Sequence, residues 1–176
     1  MQEHTNAGDR WIPEEDYHFI CARVPILCVD LLPVIAGTSR FGLIKRNTYN
    51  GGRGLNLVGG GVLLDESLVE AVDRHVSATL GSAVSVDMAS LALVGVYQYY
   101  RQPRPGELHD PRKNAVSITY AGIINGEPRA AGEALSFHTF ELGSPPAPST
   151  FGFGQGKVAY EALTHWRQLH GGVTFG

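Results

Sequence analysis

The chain has 176 residues, 43% hydrophobic and 18% charged, so it is long enough to bury the core of one globular domain. Its 14 basic and 17 acidic residues give a net charge of -3, which disfavours nucleic acid polymers and acidic membrane surfaces as partners. No apolar run approaches the roughly 20 residues of a membrane-spanning helix. We therefore predict one cytoplasmic domain over residues 1–176, in which residues 1–14 form a flexible or loosely packed N-terminal segment.

The first half of the chain combines strand-like segments with clustered glycines. The apolar segment 19–35 predicts one long or broken strand, in which Pro25 and Pro33 confine regular pairing to the residues between them. A second strand over residues 41–45 would complete a hairpin with it. The three glycines at 59–61 predict a loop in which the backbone has positive φ or is closely approached by other atoms.

A capping pattern marks the clearest helix, over residues 68–80. Ser67 and Glu70 have the spacing of a capping box, apolar residues recur every fourth position, and Gly81 stands where a helix ends. The second half predicts strands and a final helix, over residues 91–100, 115–124, 136–142 and 157–169. Together these elements predict a mixed sheet with helices packed on it, in an α/β or α+β sandwich.

The segment from residue 60 to residue 81 carries the most informative motif. Its key residues, in the spacing G-x5-E-x7-R-x6-G, are Gly60, Glu66, Arg74 and Gly81. This spacing resembles the signature of the Nudix hydrolase family, G-x5-E-x7-R-E-U-x-E-E-x-G-U, in which U is aliphatic. His75, Ala78 and Thr79 stand where that signature has glutamates, so the Nudix box is degenerate. The resemblance implies a Nudix-type α/β/α sandwich with a mixed sheet.

Within that family, residues 15–120 resemble the GDP-mannose mannosyl hydrolases. The shared residues are Glu15-Asp16-Tyr17, Pro25, Asp30, Lys45-Arg46, Gly59-Gly60, Asp65-Glu66, Arg74, Leu80-Gly81 and Gly95-Val96-Tyr97-Gln98. Those enzymes also have a shortened box, but Thr79 and Gly61 replace a glutamate and an arginine, and Ala134 stands near the position of their general-base histidine. The resemblance implies a small ligand that is a nucleoside diphosphate derivative, in particular a nucleotide sugar.

The replaced glutamates decide what we expect of metal binding. At about 100° per residue, positions 75, 78 and 79 share one helix face, which the Nudix family uses to bind a divalent metal. Mg²⁺ requires hard oxygen ligands and is usually anchored by a carboxylate, whereas this face offers an imidazole, a methyl group and a hydroxyl. We assign no metal ligand and expect any activity to depend weakly on Mg²⁺ or not at all.

Candidate site residues follow from the residue types and from the resemblance. Glu66 and Arg74 are expected to form an ion pair that anchors the glycine loop, and they are candidate catalytic residues together with His75. His75 is a general base, a ligand for a soft metal, or a side chain that only packs under the loop. The candidate ligand-binding residues are Asp30, Arg46, Gly60, Gln98, His109, Asp110 and Arg112. Of these, Arg46 would hold a phosphate through its guanidinium fork.

Two functional hypotheses follow from these features. The first is an enzyme that acts on a nucleoside diphosphate derivative, with impaired or altered metal-dependent hydrolysis. The second is a Nudix-like binding or regulatory module, or an enzyme that uses the pocket for different small-molecule chemistry. The missing carboxylates favour the second hypothesis, whereas Glu66, Arg74 and the glycine loop fit both because they maintain the fold. A monomer and a homodimer are both compatible with the sequence.

Overall fold

The structure is a computed structural model that describes residues 12–170, so most of the predicted N-terminal segment lies outside the described residues. Within residues 12–170 there are three α-helices and nine β-strands. The helices are α1 (Glu14–Cys21), α2 (Leu68–Leu80) and α3 (Gly156–His170). The strands are β1 (Ile26–Ile35), β2 (Arg40–Asn47), β3 (Arg53–Asn56), β4 (Val58–Gly61), β5 (Ser85–Val86), β6 (Ala92–Tyr100), β7 (Leu108–His109), β8 (Ala115–Asn125) and β9 (Ser136–Glu141). None of the helices in this part of the chain is long and apolar enough to cross a membrane.

A mixed sheet is built around strand β1. Its strand order is β3-β2-β1-β8-β6-β7, with β4 also paired to β1, β5 to β8 and β9 to β2. Strands β1 and β8 run parallel from the pair Ile26 and Ala115 to the pair Ile35 and Ile124. Strand β4 pairs antiparallel with the first half of β1, where Gly59 lies opposite Asp30. This pairing places Asp30 in the middle of the sheet.

Alternate residues of β1 face two separate cores, because successive side chains on a strand point to opposite faces. Val29 and Leu31 belong to the core that contains the buried side of α2. Cys28 and Leu32 belong to the core that contains α3, in which Trp166 is fully buried. Helices therefore cover both faces of a mixed sheet, and the predicted α/β/α sandwich is confirmed.

Helix α2 has the bounds that its capping pattern predicts. Ser67 Oγ accepts a hydrogen bond from the Glu70 backbone N–H, and the Glu70 carboxylate accepts one from the Ser67 N–H. Gly81 ends the helix with a φ of 96°, which a residue with a side chain rarely adopts. The later strands and the final helix, α3, also match their predicted bounds within one residue at each end.

The prediction of a strand that begins at residue 19 was wrong, because Phe19 belongs to helix α1. This helix starts after Pro13 with three acidic residues in its first turn, and it ends before Pro25, which disfavours helical backbone at the preceding residue. Pairing also continues past Pro33, which lies opposite Gly122 of β8. On the other edge of β1, strand β4 pairs with residues 28–31 and strand β2 pairs at Val34. Pro33 lies between these two paired regions, so its missing N–H is tolerated.

The three glycines at 59–61 form most of strand β4, and the prediction that they lie in a loop was wrong. A Cβ at Gly59 would overlap the carbonyl oxygen of Val29, and a Cβ at Gly60 would lie 2.5 Å from His75 Cε1. A Cβ at Gly61 would meet nothing within 4 Å. Close approach of other atoms, rather than positive φ, therefore accounts for the first two glycines.

We predict that Gly59→Ala and Gly60→Ala each lower the free energy of unfolding by about 2 kcal/mol or more, because the added methyl group displaces packed atoms. Gly61→Ala is the matched control and should stay within about 0.5 kcal/mol of the native protein. Urea denaturation measures all three. Adding His75→Ala should restore stability to Gly60→Ala. It should not restore stability to Gly59→Ala, because there the added methyl group overlaps the Val29 carbonyl oxygen, which is part of the backbone. Equal stabilities of the three alanine variants would contradict this explanation.

Candidate functional site

A small polar cleft, about 70 Å³ in volume, opens on the α3 side of the sheet. It brings together five of the seven predicted ligand-binding residues: Asp30, Arg46, Gly60, Asp110 and Arg112. Other residues lining the cleft are Cys28, Asn56, Leu57, Gly59, Tyr99, Lys113, Ala115, Ser117, Phe153 and Gln155. We call it the cationic cleft, because Arg46, Arg112 and Lys113 all line it.

Asp30 is a buried carboxylate in this cleft, with 7% of its surface exposed. Its Oδ2 accepts a hydrogen bond of 2.6 Å from Ser117 Oγ and one of 3.5 Å from the Tyr99 hydroxyl. The Tyr99 hydroxyl accepts a hydrogen bond of 3.0 Å from Gln155 Nε2. Burial raises the pKa of Asp30 to about 6, against the lowering effect of Ser117 and the nearby cations. Asp30 can therefore take up a proton close to neutral pH.

Arg46 reaches the cleft from strand β2 and is oriented by Glu133. Its Nη1 and Nη2 each donate to a different carboxylate oxygen of Glu133, both at 2.7 Å. Its Nε is buried and has no hydrogen-bond partner among the described residues. Burial lowers the pKa of Arg46, but a guanidinium stays charged in proteins. A buried N–H without a partner is unfavourable, so an anionic oxygen that reached Arg46 Nε would remove this cost.

Two further cations come from the loop that precedes β8. Arg112 donates from Nε and Nη2 to the two oxygens of Asp110, at 2.8 and 2.7 Å, and half of its side chain remains exposed. Burial would raise the pKa of Asp110, but the hydrogen bonds and charge of Arg112 outweigh it and keep this pKa low. Lys113 Nζ donates to the Tyr17 hydroxyl at 3.0 Å and lies 3.7 Å from Cys28 Sγ. The loop therefore places one paired and one unpaired cation at the cleft, since no salt bridge to Lys113 occurs among the described residues.

Phe153 forms an aromatic wall between the two arginines. Its ring centroid lies 4.9 Å from Arg112 Cζ and 5.7 Å from Arg46 Cζ, distances at which a cation is attracted to a ring face. The residue has a φ of 56°, which is uncommon for a bulky side chain and costs backbone energy. This strained backbone places the ring where the guanidinium groups converge.

Glu66 and Arg74 do not line the cationic cleft but form the predicted ion pair. Arg74 Nε donates to Glu66 Oε1 at 2.6 Å, and Arg74 Nη2 donates to Glu66 Oε2 and to the Gly61 carbonyl, both at 2.8 Å. Glu66 also accepts a hydrogen bond of 2.9 Å from the Leu63 N–H. The hydrogen bonds from Arg74 lower the pKa of Glu66. The pair therefore ties the segment after β4 to helix α2.

Two of the three residues at the replaced glutamate positions, His75 and Thr79, are used for packing. His75 lies against Gly60, and its Nε2 is 3.0 Å from the Gly61 carbonyl oxygen, so this nitrogen must carry the proton of the hydrogen bond. Burial lowers the pKa of His75 and keeps it neutral at pH 7. Thr79 is buried and Ala78 is exposed, so the three positions differ in their exposure to solvent. The reason is that the core occupies the Thr79 side of the helix.

This donor set does not fit a hard divalent cation. The Nε2 lone pair of His75 is not free, Ala78 has no donor atom, and Thr79 offers only a buried hydroxyl, whereas Mg²⁺ requires several oxygen ligands. No group of three or more His, Cys, Asp or Glu residues within residues 12–170 is arranged to hold a metal ion.

Gln98 and His109 lie outside the cationic cleft. Gln98 is exposed on β6, where its neighbour Tyr99 points into the cleft and successive side chains alternate. His109 Nδ1 is hydrogen-bonded to the Tyr49 hydroxyl at 3.1 Å, and the Tyr49 ring packs against Phe153. Ligand contact by Gln98 or His109 stays a prediction.

Several residues of the cleft were missed by sequence reasoning. Ser117 lies beside Asp30 because β1 and β8 pair in parallel, and a single sequence does not reveal that register. The available signal was the presence of Ser117 and Thr119 in an otherwise apolar strand, since polar residues inside a buried strand need a partner. Phe153 and Gln155 arrive from a distant turn and carry no comparable signal.

Residues 7–166 match the protein family described as "Domain of unknown function (DUF4916)". The chain belongs to the DUF4916 family. No curated protein matches the chain.

Solved structures similar to this DUF4916 chain include proteins named as Nudix hydrolases. A possible asymmetric diadenosine tetraphosphate (Ap4A) hydrolase from Jonesia denitrificans is 27% identical, with a TM-score of 0.72 over 84% of this chain and 98% of that chain. A MutT NUDIX hydrolase from Burkholderia pseudomallei is 24% identical, with a TM-score of 0.58 over 80% and 98%. A bifunctional NMN adenylyltransferase/ADP ribose pyrophosphatase from Francisella tularensis, complexed with AMP and a Mn ion, is 16% identical, with a TM-score of 0.60 over 89% and 47%. The chain therefore has the Nudix fold.

We predict that Arg74→Ala lowers the free energy of unfolding by about 2 kcal/mol or more at pH 7, because it leaves the buried Glu66 carboxylate without its cation. The depressed pKa of Glu66 stabilises the fold above the ordinary glutamate pKa, and this contribution is lost as pH falls through the folded-state value. The difference between native and variant should therefore shrink in acid. Urea denaturation at several pH values measures it, with the exposed Arg101→Ala as control. Unchanged stability together with lost ligand binding would refute the structural role.

Proposed function

We propose that this chain recognises a nucleoside diphosphate derivative by holding its phosphates in the cationic cleft. The observation that carries the proposal is the convergence of Arg46, Arg112 and Lys113 on one cleft, with Arg46 Nε buried and unpaired. Guanidinium groups bind phosphate oxygens in a bidentate manner and stay charged at physiological pH. The names of the Jonesia denitrificans and Francisella tularensis proteins, which refer to diadenosine tetraphosphate and ADP ribose, support linked phosphates as the recognised feature.

Recognition in this proposal relies on side-chain cations instead of a carboxylate-bound metal. Arg46 and Arg112 are held in place by Glu133 and Asp110, so their guanidinium groups are oriented before a ligand arrives. Lys113 has no salt-bridge partner among residues 12–170 and supplies charge that a phosphate can neutralise. A preorganised set of donors binds an anion without reorganisation at the moment of binding.

A nucleotide sugar is the finer form of the proposed ligand, from the resemblance to GDP-mannose mannosyl hydrolases. In that branch water attacks the sugar carbon and the nucleoside diphosphate leaves, a step in which cations can neutralise the leaving group. Hydrolysis is therefore the second candidate function, and the observation that favours it is Asp30, a carboxylate in the cleft whose pKa of about 6 suits a proton acceptor. Release of free nucleoside diphosphate that Asp30→Asn abolishes would separate hydrolysis from binding alone.

Calorimetric titration tests the binding proposal, using the β-methyl esters of ADP, GDP, CDP and UDP in the presence of EDTA. We expect at least one ester to bind without Mg²⁺, and Arg46→Gln to weaken this binding about tenfold or more, because a charge-assisted hydrogen bond is lost. Arg112→Gln, at a half-exposed side chain, provides a second variant, and urea denaturation checks its folding because it leaves the buried Asp110 carboxylate without its cation. The exposed Arg101→Gln is the control. Binding that needs Mg²⁺, or that ignores both cleft arginines, would refute the proposal.

We also predict that affinity for the methyl ester rises as pH falls through about 6, because protonation of Asp30 removes a negative charge from the cleft. The ester blocks the second ionisation of the terminal phosphate, which otherwise occurs near pH 6. The charge of the ligand is then constant. A gain on the order of threefold to tenfold between pH 7.5 and pH 5 is expected from one nearby charge. Asp30→Asn should give a flat profile, whereas the same slope in Asp30→Asn would assign the effect to another group and contradict the prediction.

A further inference from the structure

A second cavity, about 490 Å³ in volume, adjoins the cationic cleft and has the opposite chemistry. It lies between helix α1, the start of β1, the end of β4 and His75 of α2. Its walls are mostly aliphatic and include Ile20, Val24, Leu27, Val62 and Leu63. We call it the apolar cavity. It is not used by the binding proposal above.

The apolar cavity leaves large hydrophobic side chains open to solvent. Leu27 is 44% exposed, although it lies in the central strand β1, where the next seven residues are buried. Val24 is 49% exposed at the same site. Among the polar groups lining the cavity, His75 is kept neutral at pH 7 by burial, which lowers its pKa. Exposed apolar surface that is gathered in a concave site is typical of a binding site.

The two cavities share a wall at Lys113 and at strand β4. Lys113 and Cys28 line the cationic cleft, while Tyr17, which accepts the hydrogen bond from Lys113 Nζ, lines the apolar cavity. Along β4, Gly60 lines the first and Gly61 lines the second. Neither glycine contributes a side chain to this wall, and the space beside Gly61 is open for 4 Å. A ligand held by Lys113 would therefore lie beside Tyr17, a residue that lines the apolar cavity.

The volumes indicate how one ligand would divide between the two sites. Pockets that bury a whole small molecule measure roughly 300–1,000 Å³. The cationic cleft, at about 70 Å³, is too small for this but suits phosphate groups, whereas the apolar cavity, at about 490 Å³, lies within that range. A fully hydroxylated sugar would lose its hydration in an aliphatic site without regaining hydrogen bonds, which is unfavourable.

We propose that the group attached to the diphosphate, on the side opposite the nucleoside, is mostly apolar and occupies the apolar cavity. This inference rests on the proposed function, because it needs the phosphates to lie in the cationic cleft beside Lys113. The substrate class is thus a nucleoside diphosphate that carries an aliphatic or extensively deoxygenated group. The apolar group and the diphosphate would bind on the two sides of the shared wall.

The test uses the full chain and a series of nucleoside diphosphate esters with methyl, butyl and hexyl groups, built on the nucleoside that binds best. We expect affinity to rise about threefold to fourfold per methylene until the cavity is filled, so that the hexyl ester binds at least tenfold tighter than the methyl ester. Leu27→Gln should reduce this hexyl preference severalfold and leave affinity for the methyl ester unchanged. Leu93→Gln is the matched control, because Leu93 is 55% exposed and does not line the cavity.

The outcomes separate this inference from the proposed function. If the methyl ester binds in an Arg46-dependent manner but the hexyl ester binds no tighter, the apolar group has no site and only this inference fails. If no ester binds, both fail. If Leu27→Gln keeps the preference for the hexyl ester, the hexyl group binds outside the apolar cavity, and the assignment is overturned. A hexyl preference that emerges only after removal of residues 1–11 would assign the cavity to that segment and overturn it as well.

Discussion

The close approach of strand β4 to β1 and α2 determines where the rest of the site can lie. Gly59 has no side chain to separate it from Val29, and Gly60 has none to separate it from His75. The β4 backbone can therefore pair with β1 at Asp30 and still be covered by the helix. The same backbone lies between the cationic cleft and the apolar cavity, so this close contact also separates the two cavities.

Local charge compensation is the second physical constraint on the site. Three cations and two carboxylates line one small cleft, and each buried charge would be costly without a partner. Glu133 holds Arg46, Asp110 holds Arg112, and Ser117 donates to Asp30. These contacts make the free protein stable with its donors already oriented. The unpaired Arg46 Nε marks the point where this compensation is incomplete and where an external acceptor would be most favourable.

Local signals predicted most of the fold, and long-range contacts explain what they missed. The capping box and apolar spacing gave the bounds of α2, because both depend only on residues a few positions apart. Helix α1 was missed because its apolar residues merge with those of β1 across Pro25, and β4 was missed because pairing with β1 overrides the weak strand preference of glycine. In the site, arginines and acids near loops could be predicted from their chemistry. Ser117, Phe153 and Gln155 could not, because the parallel register and a distant turn bring them there.

The Nudix signature separates here into a structural part and a chemical part. Glu66 and Arg74 form the ion pair that fixes the segment after β4, so this part of the signature performs a task that any ligand chemistry would require. The replaced glutamate positions no longer offer ligands, because His75 donates to the Gly61 carbonyl and Thr79 is buried in the α2 core. In the proposed function, the positive charge for a phosphate ligand therefore comes from elsewhere. The cleft on the α3 side of the sheet supplies it, since Asp30 and Ser117 face away from α2 and share that side with Arg46.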